Sequence, residues 1–450
     1  TLFNASTVKW NFERIVWFMN GTGLLNQTLS PLHLIWEFPN GTFILDPGNP
    51  VTINNEYSVT INLKAPFSVI EALLCHTSAY MLSPASTSKY DYIHPLYNQI
   101  VGTGPFVYNG YYYNSYFAEI EVKLHRWDDY WRESAYFEDI TFTVINDATI
   151  RNNAMLGHRI DYLIGSLSSL FPTFNADPTI ILQTSIQGLS YHSLGMNNKI
   201  INKTWRQAIS FALNYTYIIE ELQNGRVFRS NGPIAPNFPM YDAAIQAAKY
   251  NLTKARELVV SMGYGDMTWN DAQWKAVTFS SWNYTYLIGH DFREDFLIYL
   301  KDSLEQIGIE IIDLGIGWLD FKYHQNFSPF DYLETVHLYW GGWGSYYPGG
   351  FYPDYLSPYN FVFKLFSNRS ILNAFHYQSQ DVEIWFDQVL KEVNAATRQG
   401  LYTNILHQIV EIDMPHAFGY HPYLNYVHSA DIQGVPYNAL KRLYIYPMRR

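Results

Sequence analysis

The chain has 450 residues, enough for about three units of domain size. Lys and Arg total 29 against 40 Asp and Glu, a formal charge of −11, and there is no basic run, which argues against a nucleic-acid binder. Hydrophobic residues make up 48% and charged residues only 15%, so global disorder is excluded as well.

The opening segment reads as a helix capped by Asn4, with Val8, Phe12, Ile15 and Val16 on one apolar stripe and a stop at Asn20-Gly21. Residues 21–50 are rich in turn formers. Tyr57–Leu63 and Ala118–Leu124 alternate apolar and polar at period 2, the pattern of half-buried strands. Between them Gly102-Thr-Gly-Pro-Phe106 is a turn that launches a strand; no Lys-Ser/Thr follows, so it is not a phosphate loop. Strand Ile140–Ile145 leads to a helix capped by Asp147, broken at Gly157, and Ile160–Leu163 is extended again. Helices follow at Lys203–Gln223, Asn251–Met262, Phe292–Ile307, Asp381–Asn394 and Thr397–Ile412, with strands at Ile309–Leu314 and Glu334–Tyr339. This mixed order points to α/β layers, without internal repeats.

A single cysteine, Cys75, excludes an internal disulfide framework and reads as a buried thiol. No run of 18 apolar residues is present, and no signal-peptide pattern opens the chain, which begins inside a helical motif. Ten Asn-x-Ser/Thr sequons occur, at Asn4, Asn20, Asn26, Asn40, Asn202, Asn214, Asn251, Asn283, Asn326 and Asn368, against about four expected by chance. They fit a glycosylated outer-surface protein and equally a chain that is simply rich in Asn, Ser and Thr.

No nucleophile elbow, zinc-protease pair or Walker loop occurs. Glu220-Glu221 and Glu294-Asp295 read as solvated helix faces. His416 and His421 are five apart, a weak metal pattern, and no cofactor is implied. What stands out is Trp340-Gly-Gly-Trp-Gly-Ser-Tyr-Tyr-Pro-Gly-Gly350, four large rings among five glycines. Glycine lets a backbone approach a ligand closely, and Trp and Tyr offer a flat apolar face with a donor. The segment is a candidate stacking platform; the alternative is an aromatic corner of the core.

Several segments, in order, resemble one family, the extracellular solute-binding proteins of ABC importers, family 5 (the peptide, nickel and oligosaccharide group). Phe3-Asn-Ala-Ser-Thr-Val-Lys-Trp-Asn-Phe-Glu-Arg-Ile15 is similar to its first helix, Tyr57–Pro66 to a strand, and Gly102–Phe106 to its Gly-Thr-Gly-Pro-Phe/Tyr turn. Trp127–Trp131, Asp147–Tyr162, Ser193–Lys199, Trp205–Asn214, Ala255–Tyr264 and Leu300–Ile311 continue the likeness nearly end to end. The resemblance implies a two-lobed, periplasmic-binding-protein-like α/β fold of the large type II class. Residues 1–100 would be an inserted subdomain, 101–195 plus 425–450 lobe I, and 196–424 lobe II, with the first segment of lobe I expected ahead of residue 1.

The resemblance also implies a non-enzymatic receptor outside the cell, anchored through a segment absent from this chain, which hands a small solute to membrane permease subunits by hinge closure. In peptide-binding members an Arg-x-Gly-Trp-x-Ala-Asp-Tyr segment carries charged anchors. Here Trp343 and Tyr347 match its rings, while Trp340 and Tyr346 stand at the Arg and Asp positions, and Trp318 matches an upstream Trp. The expected ligand contacts are therefore Trp318, Trp340, Trp343, Tyr346 and Tyr347, with Trp282 as a further one; Trp10, Trp127 and Trp131 are assigned to packing. Peptides are favoured by family prevalence, and an oligosaccharide by the lost anchors, because an unpaired buried charge costs about 3–5 kcal/mol. A secreted glycosidase with two carboxylates and a ligand-free surface or signalling module remain alternatives.

Overall fold

A computed structural model describes residues 2–20, 31–38, 41–90, 100–114, 119–317, 336–343, 357–370, 372–440 and 443–450. The chain forms two compact units, unit 1 of residues 1–186 and 424–450 and unit 2 of residues 187–423. It passes from the first to the second after residue 186 and returns after residue 423. Among the described residues no helix is long and apolar enough to cross a membrane.

Unit 1 opens with the helix Ala5–Met19, whose cap Asn4 accepts from the backbone N–H groups of Ser6 and Thr7. Phe12, Ile15, Val16 and Met19 are buried, as the apolar stripe requires. A hairpin of β1 (Val51–Asn55) and β2 (Ser58–Ile61) packs against it. Next comes an antiparallel sheet of β3 (Phe106–Asn114), β4 (Glu119–Arg126) and β5 (Asp139–Val144). Asp147 caps the helix Ala148–Leu156 by accepting from the Ile150 N–H at 2.7 Å. A small core of Met155, Leu163, Phe174, Ile180 and Val427 joins that helix to β6 (Tyr162–Leu163) and β7 (Ile180–Gln187).

Two expectations in unit 1 are corrected. Cys75 is exposed rather than buried, because it lies just past a four-residue helix, Ile70–Leu73, that turns only Leu73 inward. Trp131 is 62% exposed, its indole N–H donating to the Thr103 carbonyl while Arg132 lies 4.3 Å over its ring.

Unit 2 is built on a sheet in the order β11-β10-β12-β8-β13, with β9 beside β13. The strands are β8 (Tyr191–Met196), β9 (Val227–Arg229), β10 (Ser280–Leu287), β11 (Ile309–Ile316), β12 (Leu338–Trp343) and β13 (His416–Ser429), of which β13 runs past the end of the unit. β10 and β11 are parallel and joined through the helix Asp291–Glu305, a β-α-β crossover. Helix Lys203–Ala212 presents Trp205, Ala208, Ile209 and Ala212 to the core, and Phe296, Leu300 and Leu304 do the same at four-residue spacing on Asp291–Glu305. The expected single helix 203–223 is broken: Asn214 accepts from the Tyr217 N–H and restarts the chain as a new short helix. The last strand before the aromatic segment also runs further than the sequence suggests, through Gly341-Gly342 to Trp343.

Candidate functional site

The two glycines that marked the aromatic segment lie inside β12. That strand pairs antiparallel with β8 along its whole length, from Leu338 opposite Met196 to Trp343 opposite Tyr191. On its other side β10 meets it only at Tyr284 opposite Leu338. Residues 340–343 therefore keep one edge without a ladder partner among the described residues. Free backbone N–H and C=O groups on a strand edge are a template for another extended chain.

Close packing around β12 explains the glycines. A Cβ on Gly342 would stand 2.5 Å from Cε1 of His192, and one on Gly341 would stand 2.6 Å from Cε1 of Tyr339. His192 stacks on Tyr420 at 4.8 Å with an interplanar angle of 22°. The Arg293 guanidinium, from the first turn of helix Asp291–Glu305, lies 5.1 Å from the centre of the Tyr339 ring. Burial pushes the His192 imidazole down to about 3, and Arg293, His421 and His290 add to the effect. His290 is lowered for the same reasons, burial first and then Arg293. Burial raises the Tyr339 hydroxyl although Arg293 opposes the shift.

The expected ring contacts divide three ways. Trp340 is 2% exposed and sits in the core of unit 2, 4.3 Å from Phe296 and 5.7 Å from Tyr420. The expectation that it faces a ligand is corrected: along a strand alternate side chains take opposite faces, and Leu338 and Trp340 take the inner one. Gly419 makes room for its indole, since a Cβ there would lie 2.5 Å from Cη2. Trp282 is also core, 5% exposed and edge-on to Trp205 at 5.5 Å. Trp343 is placed by its backbone at the open end of β12, opposite Tyr191. Trp318, Tyr346 and Tyr347 lie outside the described residues.

His192, Tyr339, Arg293 and Tyr420 gather around β12 without having been singled out in the sequence. One signal was available for Arg293: a cation in the first turn of a helix opposes the macrodipole, an arrangement that asks for a compensating partner.

The weak metal pattern of His416 and His421 does not hold. His416 Nδ1 meets Ser193 Oγ at 3.2 Å and His421 Nδ1 meets the Ser190 carbonyl at 2.9 Å, so the two Nδ1 atoms are committed elsewhere. In unit 1, His125, Glu138 and Asp139 place ligand atoms within 4.8 Å of one another, but a cross-strand hydrogen bond from β4 to β5, His125 Nδ1 to Asp139 Oδ1 at 2.8 Å, engages the histidine.

The fold is that of the periplasmic binding proteins, mixed α/β and two-lobed in class. The structure matches DppA of Helicobacter pylori in complex with the peptide STSA at TM-score 0.72 and 20% identity, covering 100% of this chain and 82% of that one. It matches HbpA2 of Haemophilus parasuis at TM-score 0.75 and 19% identity, covering 99% and 83%.

The sequence fits the family described as bacterial extracellular solute-binding proteins, family 5 (middle region), over residues 1–370, and the chain belongs to that family. It is 22% identical over 358 residues to the oligopeptide-binding protein AppA of Bacillus subtilis, and 25% identical over 319 residues to the glutathione-binding protein GsiB of Salmonella typhimurium. These alignments take in 76% and 68% of this chain but only 61% and 54% of the relatives' lengths.

Proposed function

We propose that the chain is the substrate-binding component of an ABC importer, working outside the cell, and that it captures a short peptide or peptide-like solute for delivery to membrane permease subunits. It performs no chemistry on the solute and needs no cofactor. The observation that carries this reading is the edge of β12 at residues 340–343, which has no ladder partner among the described residues and has two glycines at its centre. An extended peptide adds to such an edge through main-chain hydrogen bonds, which give affinity independent of side-chain sequence. Relatives named for binding oligopeptides and glutathione support the same class of solute.

Trp343, together with Trp318, Tyr346 and Tyr347, would supply flat contacts beside the bound backbone. The oligosaccharide expectation leaned on a wall of rings, and it is weaker now that Trp340 and Trp282 belong to the core. We assign residues 1–100 to an inserted subdomain, 101–195 with 425–450 to the first lobe, and 196–424 to the second.

The test is thermal denaturation with a pool of synthetic tetrapeptides, the same pool N-methylated along the backbone, and a panel of oligosaccharides. A ligand at 100 times its Kd adds about 2.7 kcal/mol. Stabilisation by the plain peptides and its loss on N-methylation is the expected result. Stabilisation by sugars alone, or by N-methylated and plain peptides equally, would overturn the reading.

A further inference from the structure

We infer that unit 2 holds a second binding site, a recess between helix Asp291–Glu305 and the segment 212–222, and that it takes a small aliphatic amine in its protonated form. None of its lining residues belongs to β12, so it stands apart from the peptide reading above. The helix break at Asn214 builds it. Asn214 Oδ1 accepts from the Tyr217 N–H at 3.2 Å, and the Asn214 backbone N–H donates to the Tyr299 hydroxyl at 2.5 Å. Tyr217 is thereby brought onto Tyr299, with ring centres 5.1 Å apart and planes 15° from parallel. The recess has a volume of about 630 Å³, within the size range of small-molecule sites. Tyr217, Tyr250 and Ile298, which line it, are all exposed.

Two carboxylates, Asp295 and Asp302, line the recess, and among the described lining residues there is no Lys, Arg or His. With Tyr299 they stand at i, i+4 and i+7 along one helix face. Asp302 is already paired: Lys275 Nζ lies 2.8 Å from its Oδ1 and 2.6 Å from Glu305 Oε1. At that end the protein supplies an ammonium of its own. Asp295 lies two turns earlier, about 10 Å along the helix axis. It is exposed, and its carboxylate has no hydrogen-bond or ion-pair partner among the described residues. A second ammonium there satisfies it with a charge-assisted hydrogen bond, while the carbon chain of the ligand lies along Ile298 beside Tyr217, a ring that attracts a cation over its face. A metal ion is a poorer fit, because it needs several oxygens and finds one unpaired carboxylate. A neutral solute gains nothing from the charge of Asp295.

The experiment is saturation-transfer NMR on the wild-type protein, Asp295→Asn and Tyr217→Ala. The probes are butylamine, putrescine, butanol as the uncharged analogue, and N-acetyl-lysine amide. The wild type is expected to bind both amines saturably and to ignore butanol. Asp295→Asn should weaken amine binding about tenfold or more, and Tyr217→Ala about threefold. No saturable amine binding, an equal response to butylamine and butanol, or amine binding unchanged in Asp295→Asn overturns the site. Tighter binding of the acetyl-lysine amide than of either amine overturns the small-amine assignment in favour of a lysine on a partner protein. If the variants do not fold, the amine-to-butanol ratio on the wild type decides alone: a ratio near one sinks the proposal.

Discussion

Unit 2 and the region around the β3-β4-β5 sheet of unit 1 spend the same residue types in opposite ways, although unit 1 also buries Phe12, Trp36 and Phe174. In unit 2 the rings go inside: Trp274, Trp340, Tyr284 and Phe296 are almost fully buried, between the sheet and its helices. In the β3-β4-β5 sheet of unit 1 no described residue is buried and Val107 is more than half exposed, as are Trp131 and Tyr136 in the connection between β4 and β5. There the strands are held by their ladders and by contacts such as Lys123 over Tyr112 at 4.9 Å. Four histidines show the same contrast, although His428 of unit 1 is also buried and lowered. His416 and His421 of unit 2 are buried and His192 half-buried, all three are held neutral, and an arginine (Arg206, Arg229 and Arg293 in turn) pushes each further from protonation. His125 of unit 1 is exposed and raised, mainly by its hydrogen bond to Asp139. Unit 2 is thus a dry frame that fixes β12, and acid is its weakness.

The largest effect that tests this contrast is acid sensitivity. His192 and His416 are pushed down to about 3 and His421 to about 4. The unfolded chain binds these protons near pH 6.5, while the folded chain refuses them until far lower. Their contribution is therefore complete above pH 6.5 and is lost as pH falls from there toward 3 or 4, at up to about 1.4 kcal/mol per pH unit for each. His125 has the opposite sign: its pairing is present below pH 6.5 and fades as pH rises through its elevated folded value. Hydrogen exchange corrected for intrinsic rates should show β8 and the start of β13 losing protection between pH 7 and pH 4, with β4 and β5 holding theirs. Parallel loss in both units would break the contrast.

Next in size is a pair of substitutions. Trp340→Ala should cost about 3–5 kcal/mol in urea unfolding, since it empties a packed site shared with Phe296 and Tyr420. Trp131→Ala should cost less than about 1 kcal/mol, its ring being mostly in water already. If the two costs come out alike, burial does not distinguish the units.

These substitutions also mark where the sequence was readable. Helix starts were legible because a cap is local chemistry: Asn4, Asp147, Asn202 and Asn251 each accept from an N–H two or three residues on. The break at Asn214 was not, because the apolar spacing continues through it and only the cap hydrogen bond reveals it. At the site, the Trp-Gly-Gly-Trp pattern showed that a backbone is approached closely there, but not by what. His192 lies about 150 residues away in sequence. The inner face taken by Trp340 follows from pairing with β8 and from cover by Phe292 and Phe296, long-range contacts that spacing cannot supply. Arg293 was hidden among the acidic residues of its own helix for the same reason.

The smallest effect concerns the excess of sequons. Asn4, Asn202, Asn214 and Asn251, four of the ten, are helix N-caps. Asn favours that position because its side-chain oxygen satisfies an orphan N–H, and a Ser or Thr in the first turn suits it as well. Capping alone therefore raises the sequon count. At Asn202 the oxygen accepts from the Trp205 N–H at 3.1 Å. Asn202→Ala should cost about 1 kcal/mol and Asn202→Asp much less. Thr204→Ala destroys the sequon but leaves the cap, and it should change stability by less than about 0.5 kcal/mol. Should Thr204→Ala, in a host that attaches glycans, destabilise as much as Asn202→Ala, the motif is kept for a sugar and the capping account of the excess fails.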